Sequence, residues 1–285
     1  MRKSSSMKKI YLCAISNISS GNCSEDCSFC TQSAYNNADI KKYKEKDINT
    51  IVNEALLAKQ NRATGFCLVS AGKGLNDKKV EFVCKAALAV SSKVNDLNLI
   101  ACNGTATKEQ LKELKKCGIK SYNHNLETSK EYYPNICSTH SWDERYKTCL
   151  NIKEVGLKLC AGGIFGLGES ENDRESFLNS LKELSPNSIP LNFFHPNPAL
   201  PLENKIFDIQ QALHWIEKVS LALPNSRIMV AGGREITFKD KWPEIFKYGA
   251  NSIVIGNYLT TRGNQAKEDI KAITALGYEI ADSCK

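Results

Sequence analysis

From residue 8 onward, short runs rich in β-branched and aromatic residues alternate with longer stretches in which apolar side chains recur every three to four positions. The short runs cover 10–15, 65–70, 97–103, 121–126, 158–164, 188–194, 227–231 and 252–255, and their length and flanking turn residues predict strands. The longer stretches, 48–61, 78–93, 108–116, 142–155, 172–184, 209–223, 241–248 and 268–276, carry the periodicity of helices with one buried face. Several run into a glycine just before the next strand, as in Cys117-Gly118-Ile119, Val155-Gly156-Leu157 and Tyr248-Gly249-Ala250. A helix commonly stops on a left-handed residue, which glycine adopts without strain. Eight βα units in about 250 residues predict an α/β fold, a (β/α)8 TIM-type barrel in a single domain spanning 8–285. A doubly wound open sheet is the competing architecture. Its first strand would lead into a glycine-rich phosphate turn, whereas Ile15 leads into Ser16-Asn17-Ile18-Ser19-Ser20-Gly21-Asn22-Cys23. Residues 1–7, ending at a second methionine, read as a leader or flexible start.

Composition narrows the class. With 42% hydrophobic and 24% charged residues over 285 positions, the chain can bury a full core and is neither disordered nor fibrous. No apolar run approaches the about 18 residues of a membrane span, and the run 10–15 is too short for a secretory signal. A cytoplasmic protein without a membrane partner is expected. The formal charge of +7 is spread over helix faces beside glutamates, as in Lys108-Glu109 and Lys112-Glu113, so a solvated surface is expected rather than a nucleic-acid partner. Twelve cysteines are then conspicuous, because in a reducing compartment thiols point to metal or redox chemistry.

Three of them form Cys23-Ser24-Glu25-Asp26-Cys27-Ser28-Phe29-Cys30 after the first strand. Thiolates at this spacing can hold three irons of a cubane, leaving a fourth iron open to a small molecule. A structural zinc site closed by a fourth residue such as Cys13 is the alternative. At these residues, with the aromatic Phe29 before the last cysteine, the chain resembles the radical S-adenosylmethionine superfamily. The resemblance implies a 4Fe-4S cluster on Cys23, Cys27 and Cys30 that binds S-adenosyl-L-methionine at its open iron and cleaves it reductively to a 5′-deoxyadenosyl radical. The barrel would orient that radical and exclude water.

Cys67, Cys102 and Cys160 lie one each in the second, third and fifth strands. Singly each reads as a small buried hydrophobe; with all three side chains in the barrel lumen they can converge on a second cluster. Together with Tyr122-Asn123-His124-Asn125-Leu126-Glu127-Thr128, with 160–169, with Ala231-Gly232-Gly233-Arg234-Glu235 and with 249–261, they make the chain similar to the biotin synthase family over nearly its whole length. The resemblance implies that Cys67, Cys102 and Cys160 hold an auxiliary iron-sulfur cluster, 2Fe-2S or larger, whose sulfide is inserted into dethiobiotin to form biotin. It also implies a reductant such as flavodoxin or ferredoxin, and a homodimer.

Two positions depart from the family pattern. Met229 stands where the family has an arginine cluster ligand, with Arg227 one strand repeat earlier on the same face. Cys13 stands where a serine is expected, which makes it a candidate fourth ligand; a buried small residue is the other reading. Asn123, Asn125 and Glu127 alternate on one face of the fourth strand, while Tyr122 and His124 share the other. By resemblance Asn125 and Glu127 bind the adenosyl ribose, Arg145 the S-adenosylmethionine carboxylate, Asn123 and Asn192 the ureido ring of dethiobiotin, and Thr260 and Thr261 its carboxylate. For Arg145 a salt bridge on the helix face is an equal reading. His140, His195 and His214 carry no spacing signal. Cys84, Cys117, Cys137, Cys149 and Cys284 read as packing or surface thiols. A different barrel enzyme of the same superfamily, resembling hydrogenase maturases, and a non-catalytic iron-sulfur or zinc carrier are the rival functions.

Overall fold

The computed structural model describes residues 8–203 and 205–284; the expected leader at 1–7 lies outside the described residues. Strand β1 (Lys9–Ser19) organises the rest. It pairs in parallel with β2 (Gly65–Ser70) on one side and with β9 (Ser252–Val254) on the other, which closes the sheet. Between them run β3 (Asn98–Cys102), β4 (Ser121–Asn123), β5 (Lys158–Cys160), β6 (Gly163–Phe165), β7 (Ser188–Phe193) and β8 (Arg227–Val230). The expected fifth strand, 158–164, is therefore two short ones, and both pair with β7. The break falls at Ala161-Gly162, where a side chain on Gly162 would sit 1.9 Å from the Pro190 carbonyl oxygen. Counting β5 and β6 as one stave gives the eight of the expected barrel. A ninth strand, β10 (Glu279–Ile280), pairs with the outer start of β1 and was not anticipated.

Helices α1 (Ile48–Gln60), α2 (Asp77–Ser91), α3 (Lys108–Lys116), α4 (Trp142–Glu154), α5 (Glu171–Leu184), α6 (Ile209–Ala222), α7 (Arg234–Phe238) and α8 (Ala266–Ala275) surround the strands. The stretch 241–248 is a 3-10 segment, Lys239–Phe246, that follows α7 and contains Pro243, whose ring and missing N–H disfavour a regular α-helix. Capping boxes start α3, α4 and α5: Thr107 with Gln110, Ser141 with Glu144, Ser170 with Asp173. Each reciprocally satisfies two amides that a helix N-terminus leaves open. At the other ends Gly118 and Gly156 take φ +93° and +69°, as the sequence predicts.

Alternate strand residues face outward into one continuous apolar layer beneath the helices. Ile10, Leu12 and Ile18 of β1, Phe66 and Leu68 of β2, and Leu99 and Ala101 of β3 are at most 2% exposed. Under β6 and β7 the layer is aromatic, with Phe165 5.8 Å from Phe193 and 5.6 Å from Trp215 between ring centroids. Cys84 of α2 and Cys117, the C-cap residue of α3, are joined in a disulfide with Cα atoms 5.2 Å apart. This corrects their reading as separate packing or surface thiols. Consecutive helices of the ring stand side by side, so residues one βα unit apart can meet. The other ten cysteines are free.

Arg234 accounts for the Ala231-Gly232-Gly233-Arg234-Glu235 stretch. Its guanidinium is fully buried, donates to both oxygens of the equally buried Asp269 at 2.9 and 2.7 Å, and lies over Trp242. It also donates to Glu235, which accepts from Tyr258 at 3.2 Å. The start of α7, the start of α8 and the loop between β9 and α8 are thus one hydrogen-bonded unit. Removing one partner of a buried ion pair leaves an uncompensated charge, so Asp269→Ala should lower stability by about 3–5 kcal/mol, read as a shift of the thermal unfolding midpoint. An unchanged midpoint would refute this role.

Candidate active site

Inward-facing residues of the barrel do not follow the usual filling by branched aliphatics. On β1 they run Tyr11, Cys13, Ile15; on the next strands Cys67, then Ile100 and Cys102, and across the barrel Asn123, Cys160, Asn192 and Met229. They leave a cavity of about 400 Å3 that opens at the C-terminal ends of the strands. Polar groups there have room and are not packed against carbon.

The cysteine loop roofs one side of this cavity. Cys23, Cys27 and Cys30 all line it, and none is in a disulfide. Backbone bonds tie the loop into a fixed coil: Cys23 N–H donates to the Gln32 carbonyl at 3.0 Å, and Asn36 Nδ2 donates to the carbonyls of Cys27 and Cys30 at 3.2 and 2.9 Å. Gly21 opens the loop at φ +75°, where a Cβ would stand 2.6 Å from Lys42 Cγ. A second set of bonds fastens the loop to the segment before α4. Asp26 accepts from the amides of Ser138 and Thr139 at 2.9 and 3.2 Å and from both their hydroxyls. Burial opposes ionisation of Asp26, yet the bonds from Ser138 and Thr139 prevail and hold its carboxyl well below the ordinary value.

Beside this attachment lies a group that sequence reasoning missed. His140 Nδ1 is 2.7 Å from Glu25 Oε2, and its Nε2 faces Tyr133 OH at 2.8 Å and Arg145 Nη1 at 3.1 Å. Cys137 Sγ is 3.6 Å from Cys27 Sγ and 3.2 Å from His140 Nδ1. Cys27, Cys137 and His140 thus bring three ligand atoms within 4.8 Å of one another, close enough to share a metal ion, and Cys137 is no mere packing thiol. The partners come from two loops far apart in sequence, and only the acidic Glu25-Asp26 pair inside the triad offered a hint.

The fourth-strand row is found in the lumen. Asn123, Asn125 and Glu127 all line the cavity. Glu127 sits at φ +70°, a left-handed turn that ends the row, and Gly163 makes this possible because a Cβ there would meet the Glu127 carbonyl at 2.4 Å. Arg145, from the first turn of α4, donates to Glu127 Oε1 at 2.9 Å and to the Asn125 carbonyl at 2.7 Å. The salt bridge is real and buried rather than a solvated pair on the helix face. Burial raises the Glu127 carboxyl, with Arg145 and Asn125 opposing. Regular pairing of β4 stops at Asn123, so parity no longer sorts the next residues, and His124 also lines the cavity, buried and with Nε2 unpartnered. Burial first and Arg145 second push its imidazole well below the ordinary value, which keeps it neutral. Asn123 donates to Cys102 Sγ at 3.4 Å while its Oδ1 has no partner. Asn192 accepts from Gly232 N–H at 2.9 Å. Thr260 meets Thr31 of the cysteine loop at 2.9 Å, and Thr261 and Phe29 complete the rim.

Deeper in the barrel Cys67 and Cys102 are neighbours that perturb each other, the thiol of Cys67 being pushed up and that of Cys102 down. Cys160 and Cys13 line the same space, Cys13 under a Cβ-free Gly65 whose position leaves room for its sulfur. Burial pushes Cys160 up to about 12 and Cys13 higher, with Arg227 opposing in both. Arg227 itself turns away: it stacks on Tyr11, 3.5 Å from the ring centroid, and donates to Cys284 at 3.4 Å. A free triad at the rim and four free thiols below, with orphaned polar atoms aimed between them, is a donor set that fits two iron-sulfur clusters and a polar ligand.

The Radical SAM superfamily matches residues 17–181, and the Biotin and Thiamin Synthesis associated domain matches residues 190–279. Biotin synthase of Nautilia profundicola is 62% identical over 98% of this chain and 100% of its own length; that of Aliarcobacter butzleri is 58% identical over 97% and 98%. The chain belongs to the biotin synthase family. It is a radical S-adenosylmethionine sulfurtransferase, with the cofactors that family membership carries: a 4Fe-4S cluster, S-adenosyl-L-methionine and an auxiliary iron-sulfur cluster. Two solved structures share the fold: methylornithine synthase PylB, with TM-score 0.79 and 18% identity over 96% of this chain and 84% of its own, and the FeFe-hydrogenase maturase HydG of Carboxydothermus hydrogenoformans, with 0.77 and 17% over 95% and 67%. The hydrogenase-maturase likeness is thus one of barrel architecture. No helix among the described residues is long and apolar enough to cross a membrane.

Two outcomes follow from this geometry. Burial pushes Cys30 up to about 11 and Cys160 up to about 12, so both thiols are protonated in the apoprotein at neutral pH. Iron binds thiolates, so anaerobic loading should release about one proton per thiol, and lowering the pH should weaken it about tenfold per unit for each; proton release in weak buffer measures this, and loading without release would contradict it. Asp26→Asn should loosen the cysteine loop, so that a chelator strips the rim cluster several-fold faster while the thermal midpoint of the barrel stays near wild type.

Proposed function

We propose that this chain inserts sulfur into dethiobiotin to make biotin, with Cys23, Cys27 and Cys30 holding the radical-generating cluster and Cys67, Cys102 and Cys160 the sulfur-donating one. The observation that carries this assignment is the presence of two free-thiol groups at two heights of one lumen cavity of about 400 Å3. When bound there, the clusters and S-adenosyl-L-methionine supply the reductive radical chemistry and the sulfur atom.

The residues of the chain do the positioning. Arg145 anchors Glu127 where it lines the cavity, so that its carboxyl group and the Asn125 amide suit a pair of ribose hydroxyls. The Arg145 guanidinium lines the cavity between Glu127 and His140, where its positive charge suits a ligand carboxylate. Asn123 Oδ1, buried without a partner, accepts from a ureido N–H, and Asn192 faces it across the lumen. Thr260 and Thr261 hold a carboxylate tail at the mouth, and Phe29 covers the adenosine side. Val69, Ile100 and Leu259 supply the dry wall that a carbon radical needs between the two thiol groups. Cys13 is the fourth protein ligand below, in place of the long cation that Met229 cannot supply. A low-potential donor such as flavodoxin or ferredoxin supplies electrons, and the enzyme works as a cytoplasmic homodimer.

An anaerobic assay with dethiobiotin, S-adenosyl-L-methionine and a reductant should yield biotin and 5′-deoxyadenosine; 5′-deoxyadenosine without biotin would point to another substrate. Metal analysis separates the rival carrier: more iron and acid-labile sulfide than the about four of one cluster is expected, and one zinc per chain would sink the proposal. Cys13→Ser should lower auxiliary iron and sulfide and alter that spectrum while the rim cluster is kept. An unchanged auxiliary spectrum would return Cys13 to the role of a buried small residue.

A further inference from the structure

The lumen continues below the four thiols. A second cavity of about 200 Å3 lies toward the N-terminal ends of the strands, lined by hydroxyl and amide side chains including Thr64, Asn98, Ser121 and Ser252. Cys13, Ile100, Cys160, Ser188 and Met229 line both cavities, so this layer is the floor of one and the ceiling of the other. The charged residues lining the lower cavity are Lys158 and Arg227, with no carboxylate among the described ones. Cys284, beyond β10, forms part of its wall. The thiol donates to the Thr64 carbonyl at 3.4 Å and accepts from Arg227 Nη1 at 3.4 Å, the guanidinium being fixed by its stacking on Tyr11. Cys284 is only half-buried. A cationic, polar pocket with a reachable thiol, whose ceiling includes the thiols of Cys13 and Cys160, has the chemistry to take a small sulfur anion.

We propose that this lower cavity is a sulfur inlet, in which Cys284 accepts sulfane sulfur from a small persulfide and passes it upward as hydrosulfide to the auxiliary site. The inference rests on the assignment of Cys67, Cys102 and Cys160 to that site. In the first step the Cys284 thiolate attacks the outer sulfur of the donor R–S–SH; a new S–S bond forms at Cys284, the donor S–S bond breaks, and R–S⁻ leaves with the electron pair. In the second step two electrons, from the low-potential donor that the established reaction already consumes, cleave the Cys284 persulfide to thiolate and hydrosulfide. Arg227 holds the anion in both steps, and the sulfide is released into the cavity that Cys13 and Cys160 line. The radical reaction draws its sulfur from above this layer, so resupply from below leaves the substrate cavity undisturbed.

The loaded enzyme is treated anaerobically with cysteine persulfide carrying heavy sulfane sulfur, alkylated and mapped by peptide mass. Label is expected on Cys284 and not on Cys149, followed, after reduction, by label in acid-labile sulfide. Cys284→Ser and Cys284→Ala should both keep first-turnover biotin, while transfer of label to sulfide falls about tenfold once the accepting thiol is gone. Arg227→Gln should slow labelling of Cys284 itself. Label reaching the sulfide at the wild-type rate in either Cys284 variant would overturn the proposal. So would labelled sodium sulfide resupplying wild type and both variants equally, which would make free hydrosulfide the source. The Cys284 label is read on its peptide, independently of auxiliary cluster content, whose absence would instead overturn the assignment on which the inference rests.

Discussion

Everything in this molecule hangs on the double pairing of β1. One strand must pair with β2 through Cys13↔Gly65 and Ile15↔Cys67 and with β9 through Tyr11↔Ser252 and Cys13↔Val254. That closure fixes which side of each strand is inside, because side chains alternate with period two and a slip of one residue would exchange the faces. With the register set, Ile15, Cys13 and Tyr11 of β1 descend through the lumen, and Ile10, Leu12, Ala14 and Ile18 enter the apolar layer. The same parity carries Cys67, Cys102 and Cys160 inward from three other strands. The chain leaves the top of β1 directly into the cysteine loop, so one strand locates both thiol groups relative to each other.

A lumen kept open in this way forfeits the packing that normally fills a barrel. Stability must come from elsewhere, and the outer layer is built accordingly. The aromatic group of Phe165, Phe193, Phe207 and Trp215 fills the space under β6 and β7, beside the stave that is interrupted. The Arg234–Asp269 pair with Glu235 and Tyr258 braces the loop that carries Thr260 and Thr261. Orphaned atoms inside, Asn123 Oδ1 and His124 Nε2 among them, would be costly in a finished core. Their concentration around the cavity is the pattern of groups held ready for a ligand.

Parity and spacing made the barrel, the triad, the three strand cysteines and the Asn123, Asn125, Glu127 row legible in the sequence, since each depends on local periodicity. What stayed illegible depends on contacts between distant loops and helices. His140 and Cys137 meet Glu25 and Cys27 only because Asp26 fastens two loops over the barrel mouth. Cys84 and Cys117 meet because α2 and α3 are neighbours in the ring. The interruption of 158–164 arises from the approach of Pro190 to Gly162, which no residue within the stretch announces. Parity itself fails once pairing ends, as at His124.

The exchange of residues at the barrel floor changes its electrostatics as well as its ligands. Met229 leaves that layer without a cation, while Cys13, as the proposed fourth ligand, would add an anion to it. The nearest positive charge is Arg227, one repeat lower, and its stacking on Tyr11 keeps it there. Under the proposed assignment, a cluster held by four thiolates with no cation in its own layer would carry more negative charge than one with an arginine ligand and would be harder to reduce. On the proposed assignment the two layers divide the work along β8, with Met229 among the thiols and Arg227, one repeat lower, as the anion-holding group of the cavity below.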